Sequence, residues 1–269
     1  MGIARMNASA TLGRPVPRTR RTADSDHPNL DTLAGMWTRV GVLFATRAAA
    51  SPIDLERLLI DTARAARFDE RLFVCAASWL AQYHGFVNGR RLSVLTVALD
   101  RQQSAALGAL LSFARDAAGH APELDAALAR CRPLSRPRPM FAVMDTMDVL
   151  RGRVRKRALP LFAAWGLWHD DATLKPSAIR PVRWLLRHAP ELRARALLGP
   201  SVEADVMAAA LAGDVTVRDV ALTTHVSYAA THDAASRLFG RGLLVRERVA
   251  QRQLLRPTAA ARAAFDQSE

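Results

Sequence analysis

The sequence predicts a mainly α-helical protein in which the final portion, residues 201–269, changes from helices alone to a helix-turn-helix followed by a two-stranded hairpin. Three observations predict this. From Asn29 onward, apolar residues recur at spacings of three and four, the period of a helix with one buried side. The chain is 50% hydrophobic but only 6% aromatic and rich in Ala, a composition that favours close-packed helices over a β-sandwich. Past Gly240 and Gly242 the helical spacing stops and an Arg-rich stretch centred on Val249-Ala250-Gln251 begins.

Residues 1–28 are rich in Arg, Ser, Thr and Pro without apolar periodicity, and are expected to form a disordered basic tail. Leu33, Met36, Trp37, Val40 and Phe44 then fall at helical spacing. Ser51-Pro52 is an N-cap followed by Pro at the first helical position, opening a helix that carries Leu55, Leu58, Leu59 and Ile60. A third helix is expected from about Asp69 to Tyr83, with Leu72, Phe73, Ala76, Trp79 and Leu80 on its apolar side. Gly85 ends it, and Asn88-Gly89 is a turn signal. Further helices are expected over 91–99, 102–118 and 122–131, closing a helical domain over 29–131. The run Leu92–Leu99 has the composition of a strand, but its neighbours favour helix.

Pro133, Pro137 and Pro139 make residues 132–139 a rigid connector. Beyond it, residues 140–200 read as a helical basic segment. Met140–Leu167 is expected as one long helix or as two broken near Pro160, and Ile179–Leu198 as a pair around Pro181 and Pro190.

In the last segment Val202, Val206, Met207 and Leu211 form a short amphipathic helix that breaks at Gly213. Thr216 followed by Asp219 is a capping-box start. Val220 and Leu222 give that helix a buried side, and Thr223-Thr224 reads as the turn after it. Ser227 caps the next helix, whose Ala230, Ala234 and Leu238 lie along one side. Val226-Ser227 before a helix, Leu238 four residues ahead of Gly242-Leu243-Leu244, and then an Arg-rich hairpin resemble the winged helix-turn-helix domains of MarR- and ArsR-type bacterial regulators. The resemblance covers Ser201 to about Phe265, roughly a quarter of the chain. It implies a mainly α fold whose helical N-terminal and middle region is followed by a C-terminal winged helix-turn-helix with a small β-hairpin wing. It also implies double-stranded DNA as partner. The long region ahead of the winged helix is atypical of these small regulators.

The formal net charge is +13, which favours a polyanionic partner. Residues 1–131 contribute +4, residues 132–200 contribute +9, and residues 201–269 sum to zero. That neutral total is polarised: 201–236 hold one Arg and five acids, whereas 237–256 hold six Arg and only Glu247. Five cations fall within Arg151–Arg157, placed either to neutralise phosphates or as a solvated helix.

The residues expected at DNA follow from this arrangement. Ser227 opens the recognition helix, and opposite its core side lie Tyr228, Ala229, His232, Ser236 and Phe239. Tyr228 and His232 supply hydrogen bonds to base edges or phosphates, and Ala229 suits a thymine methyl. Arg237 and Arg241 would meet backbone. Arg246, Arg248 and Arg252 flank the hairpin tip, as arginines that enter a minor groove do. Arg153, Arg155, Lys156 and Arg157 would add phosphate contacts.

Little points to catalysis. There is no phosphate-binding glycine loop, and no G-x-S-x-G, H-E-x-x-H or C-x-x-C pattern. Gly240-Arg241-Gly242 follows a helix and does not open one. His169-Asp170-Asp171 has the residue types of a metal site or general base, but adjacent residues do not face one another, so a loop or cap is expected. His84, His120 and His188 lie near helix ends. No cofactor is expected. Cys75 and Cys131 read as reduced core thiols of a cytoplasmic protein. No apolar run spans a bilayer, and Arg20-Arg21 lacks the apolar segment of an export signal. Trp37, Trp79, Trp165, Trp168 and Trp184 read as core. Trp165 and Trp168, three apart on a helix, are also candidates for a pocket or a homodimer seam, as is the Leu33–Phe44 helix.

Two functions remain open on the sequence. One is a sequence-specific DNA-binding transcriptional regulator whose helical region dimerises or senses a small-molecule effector. The other is a DNA-binding adaptor or antitoxin-like subunit of a toxin–antitoxin, defence or replication assembly, with a protein partner on that region.

Overall fold

The computed structural model describes residues 29–265, so the tail expected over 1–28 lies outside the described residues. Asn29 opens the first helix, α1 (Leu30–Arg39), its side chain accepting hydrogen bonds from the Asp31 and Thr32 amides. This helix stops well short of Phe44, because Gly41 adopts φ +95° and turns the chain away. Val42 then bridges to Ile179. Helix α2 (Leu55–Ala65) starts later than expected, since Asp54 and not Ser51 accepts the capping bond, from Arg57 N. Asp69 caps α3 (Glu70–Tyr83) in the same way. Asn88-Gly89 is not a turn but the cap and first residue of α4 (Gly89–Leu95), which a single 3-10 turn extends over Thr96–Ala98. The run Leu92–Leu99 is thus helical through Ala98, as its neighbours implied. A complete capping box between Asp100 and Gln103 opens α5 (Arg101–Ala118), and Pro122–Leu124 leads into the short α6 (Asp125–Leu128).

These helices bury one large apolar cluster. Trp37 and Trp79 are fully buried at its centre, ring centroids 5.8 Å apart and edge to face. Each indole satisfies its N–H, Trp37 to Thr62 Oγ1 at 2.9 Å and Trp79 to the Val40 carbonyl at 2.8 Å. A buried indole without such a partner carries a desolvation penalty.

The Pro-rich stretch does not separate one core from another. Leu134, Met140, Phe141, Phe162 and Leu167 belong to the same cluster as Trp37 and Trp79. β1 (Arg138–Pro139) pairs in parallel with β2 (Leu167–Trp168), and between them lie α7 (Asp148–Arg157) and α8 (Pro160–Ala163). Met140–Leu167 is therefore broken at Met147 as well as near Pro160. Trp165 and Trp168 do not share a helix: Gly166, at φ +69°, places Trp165 in a turn and Trp168 in β2. Trp165 lies against Gly108 of α5 and donates to Ser112 Oγ at 3.0 Å. Helices α9 (Val182–His188) and α10 (Pro190–Leu198) follow Pro181 and begin at Pro190, as expected.

A second apolar cluster is built from α11 (Val202–Ala212), α12 (Val217–Thr224), α13 (Tyr228–Gly240), the antiparallel pair β3 (Leu244–Val249) and β4 (Arg252–Pro257), and α14 (Ala259–Phe265). Val206, Met207, Val220, Ala234, Leu238, Leu244 and Leu255 fill it, and Ala194 of α10 joins it. The protein is thus mainly helical with a small antiparallel hairpin near its C-terminal end. No helix among the described residues is long and apolar enough to cross a membrane.

Charged side chains connect the two clusters. Glu56 of α2 is fully buried and accepts both Arg195 nitrogens, at 2.6 and 2.8 Å, together with Arg91 at 3.1 Å and the Asn88 amide at 2.8 Å. Arg195 reaches on to Asp205 of α11 at 2.9 Å and to the Phe86 carbonyl at 2.8 Å. Burial alone would push the Glu56 carboxyl up, but Arg195 and Arg91 together hold it below the ordinary range. Asp205 is different: burial pushes it up, and Arg195 only partly offsets this.

Three variants test this packing. Gly108→Ala should destabilise by about 1–2 kcal/mol, because a Cβ there would lie 2.5 Å from the Trp165 ring and overpacking outweighs the helix-propensity gain of about 1 kcal/mol. Gly152→Ala in α7, where a Cβ meets nothing within 4 Å, should instead stabilise slightly. Denaturant unfolding with Gly108→Ala at least as stable as wild type would contradict the contact. Arg195→Ala should cost about 3–5 kcal/mol in the same experiment, since it removes two of the four donors of the buried Glu56 carboxylate and the partner of Asp205. A loss below about 1 kcal/mol would mean that Glu56 is not paired as described.

Candidate nucleic-acid interface

Helix α12 begins at the expected capping box, with Thr216 N donating to Asp219 at 2.9 Å and Asp219 N donating to Thr216 Oγ1 at 3.2 Å. Thr223 and Thr224 do not form the turn. Their hydroxyls donate back to carbonyls of α12, and the chain turns at His225, whose backbone is left-handed at φ 53°. Two residues later Ser227 accepts from Ala230 N at 3.3 Å and opens α13.

The buried side of α13 carries Thr231, Ala234, Ala235 and Leu238. Ala230, expected inside, is half-buried. Its outward side carries Tyr228, Ala229, His232, Asp233 and Arg237, while Ser236 and Phe239 sit half-buried at the margin. Tyr228 is 58% exposed, and its ring stacks at 6.1 Å on that of His232 one turn later. Ser236 and Phe239 are therefore less available than the sequence suggests. Asp233 is an outward residue that sequence reasoning missed, although its place one turn before Arg237 puts it on the same stripe.

The hairpin turns through Ala250-Gln251, Ala250 at φ 52°. From Val245 to Gln253 every residue is exposed, so this stretch stands clear of the core. Its arginines are not equivalent. Arg246 lies over the Phe239 ring at 4.7 Å, a cation–π contact joining hairpin to helix. Arg252 is paired with Asp219 at 2.7 Å, and Arg256 with Glu247 at 2.6 Å and with Asp214. Arg237 and Arg241 both bond to Glu203 of α11. Arg248 is exposed and forms no ion pair among the described residues. The same holds for Arg218 in the first turn of α12, which sequence reasoning did not select. The pairings of Arg237 and Arg252 join residues more than thirty positions apart, so helical spacing carried no sign of them.

On α7 only Val154 is buried. Arg153 is exposed, 4.0 Å from Asp170, and the Arg155 guanidinium lies over the Trp168 ring at 5.4 Å. Lys156 and Arg157 are exposed. The main packing of α7 is against β1, β2 and the turn over Ala142–Thr146, within the helical region. Val149 and Leu150 in the first turn of this basic helix are exposed, as are Val143 and Met147 just before it.

The remaining candidates resolve into local structure. Asp171 accepts from the amide and hydroxyl of Thr173 at 2.9 and 2.6 Å, a turn closed on itself. His169 is buried between the edges of Phe141 and Phe162, at 5.0 and 4.9 Å. His84 contacts Glu123 at 2.9 Å, and His188 stacks on Trp184 at 4.1 Å. No group of three or more His, Cys, Asp or Glu that could hold a metal ion occurs among the described residues. Cys75 is buried and Cys131 partly so, and burial pushes the Cys131 thiol up to about 12.

Compared with models of protein families, with curated proteins and with solved structures, the chain matches none.

Burial lowers the His169 pKa below its ordinary 6.5. The unfolded chain then binds the extra proton first, so stability should fall as pH drops through 6.5 towards the lowered folded value. The slope from this residue cannot exceed about 1.4 kcal/mol per pH unit. Melting temperatures between pH 7.5 and 5.5 should fall more for wild type than for His169→Leu. Parallel curves would show that His169 is not held neutral.

Proposed function

We propose that α11 to α14 with the β3–β4 hairpin form a winged helix-turn-helix, and that the chain is a sequence-specific double-stranded DNA-binding protein, a bacterial transcriptional regulator of the cytoplasm. One observation carries this reading: α13 follows α12 across a tight turn and offers Tyr228, Ala229 and His232 near its outward N-terminal end, with a projecting hairpin beside its C-terminal end. In helix-turn-helix complexes the N-terminal residues of the second helix meet the bases. Tyr228 and His232 would read base edges, Arg248 at the hairpin and Arg218 at the start of α12 would contact phosphates, and Arg153, Lys156 and Arg157 of α7 would add charge. Arg237, Arg241 and Arg252 would help mainly by holding the unit's shape, since the first two share Glu203 and the third is paired with Asp219.

A homodimer fits this function, because one recognition helix covers few base pairs. Its seam would not be the Leu33–Phe44 helix or the Trp165/Trp168 pair. Leu33 and Trp37 are buried, and Trp165 is packed on Gly108. The exposed Val143, Met147, Val149 and Leu150 remain, and the same residues favour the alternative of a DNA-binding adaptor with a different protein seated there.

Fluorescence anisotropy on duplex DNA tests the reading. If about six phosphates are neutralised, affinity should fall by about three orders of magnitude between 50 and 200 mM salt. His232→Ala and Tyr228→Ala should each cost about 1–3 kcal/mol on the preferred site and little on random DNA, while Arg248→Ala weakens both and lowers the salt slope by about one. Absence of binding, or a slope near zero, would overturn the proposal. Light scattering on the full chain separates a dimeric regulator from a monomeric adaptor.

A further inference from the structure

An open groove of about 550 Å³ lies between β1, β2 and α7, lined by Arg138, Asp145, Asp148, Arg151, Arg155 and Trp168. A volume of that size falls in the range of small-molecule sites. Its two acids are already engaged. Asp145 pairs with Arg67, which does not line the groove, and Asp148 pairs with Arg151 in the first turn of α7. Arg138 and Arg155 have no acid partner among the described residues. Arg138 is half-buried, and its charge is felt next door: burial first, and then Arg138, hold the Arg67 guanidinium below its ordinary range.

Trp168 is the second unusual member. It is half-buried yet belongs to neither apolar cluster, and its ring carries the Arg155 guanidinium at 5.4 Å. Trp37, Trp79 and Trp165 each donate from Nε1, whereas Trp168 Nε1–H donates to nothing among the described residues. Buried side-chain atoms without a partner occur there only on Arg91 and Asp205, so the Arg138 guanidinium and the Trp168 N–H are open to solvent. What the groove leaves unused is two guanidiniums and an indole N–H, donors all, beside an aromatic ring. Guanidiniums suit the oxygens of a phosphate, and an indole gives a nucleobase a flat surface to pack on, with little regard to which base it is.

We infer that this groove binds a nucleoside 5′-monophosphate group, either as the free nucleotide or at the 5′ end of a strand. The phosphate accepts from Arg138 and Arg155, a ribose oxygen accepts from Trp168 Nε1–H, and the base packs against the indole. The site stands on its own geometry, whether or not α13 and the hairpin bind duplex DNA.

Isothermal titration calorimetry of the full chain with AMP in low salt tests this without duplex DNA, and should show one saturable site per chain. Adenosine, which lacks the phosphate, and ribose 5-phosphate, which lacks the base, should each bind about tenfold more weakly or worse. Arg138→Gln and Trp168→Leu should each weaken AMP by about tenfold. Arg130→Gln removes the same charge from an exposed position that does not line the groove, and should leave the affinity unchanged. The Arg138 side chain makes no hydrogen bond within the protein, so its variant keeps the test open should Trp168→Leu fail to fold. A 5′-phosphorylated trinucleotide that binds more tightly than AMP, and loses that margin without its 5′-phosphate, assigns the group to a strand end; weaker binding assigns the free nucleotide. No saturable site, ribose 5-phosphate binding as well as AMP, or Arg138→Gln indistinguishable from Arg130→Gln overturns the assignment.

Discussion

A carboxylate taken fully out of water is among the most costly groups a protein can bury, and Glu56 is such a group. It is tolerated because Arg195 approaches it with two nitrogens, Arg91 with a third and the Asn88 amide with a fourth donor. Those partners come from distant regions of the chain: α4 supplies Arg91, α10 supplies Arg195, and Arg195 in turn holds Asp205 of α11. Buried ion pairs add little net stability over apolar packing, but they penalise every arrangement that separates them. The relative placement of α2, α4, α10 and α11 therefore depends on one charge. The platform from which α12, α13 and the hairpin extend depends on that charge too, through Arg195 and Asp205.

How much of this was legible in the sequence depends on the range of the interaction concerned. Caps are local, so the Thr216–Asp219 box, the Ser227 cap and the helices after Pro181 and at Pro190 were readable from neighbouring residues. Apolar spacing likewise placed α3 and α5. Errors arose where a local signal had a nearby competitor. Ser51 is a good cap, but Asp54 serves α2; apolar spacing ran past Arg39, but Gly41 turns the chain; Trp165 and Trp168 have helical spacing, but Gly166 bends the backbone between them. The pairing of Glu56 with Arg195, 139 residues apart, leaves no trace in any periodicity. The same is true of the Glu203 contacts with Arg237 and Arg241.

Those contacts also change the meaning of charge in the C-terminal segment. Counted along the chain, the Arg-rich stretch after α13 looks like a positive surface. In the fold much of it is internally neutralised, and Asp233 stands among the outward residues of α13. Among the described residues, what remains exposed without an ion pair is narrower, chiefly Arg218 and Arg248 near the hairpin unit and Lys156 and Arg157 of α7 in the helical region. A surface of this kind favours contacts at chosen points over a broad electrostatic hold on any polyanion.

Helix α10 is shared property. Leu192 belongs to the larger apolar cluster and Ala194 to the smaller, while Glu191 bonds Arg39 and the Ile53 amide on one side and Arg195 bonds Asp205 on the other. A cut between residues 200 and 201 would leave Asp205 without its strongest partner and remove Ala194 from the second core. A cut before Pro190 would strip the first core of Leu192 and leave Glu56 without Arg195. Neither half can be exchanged between proteins as a ready-made cassette, so substitutions in one are expected to be answered by substitutions in the other. The lineage of this chain would then show the two regions changing together, with the faces of α10 as the record.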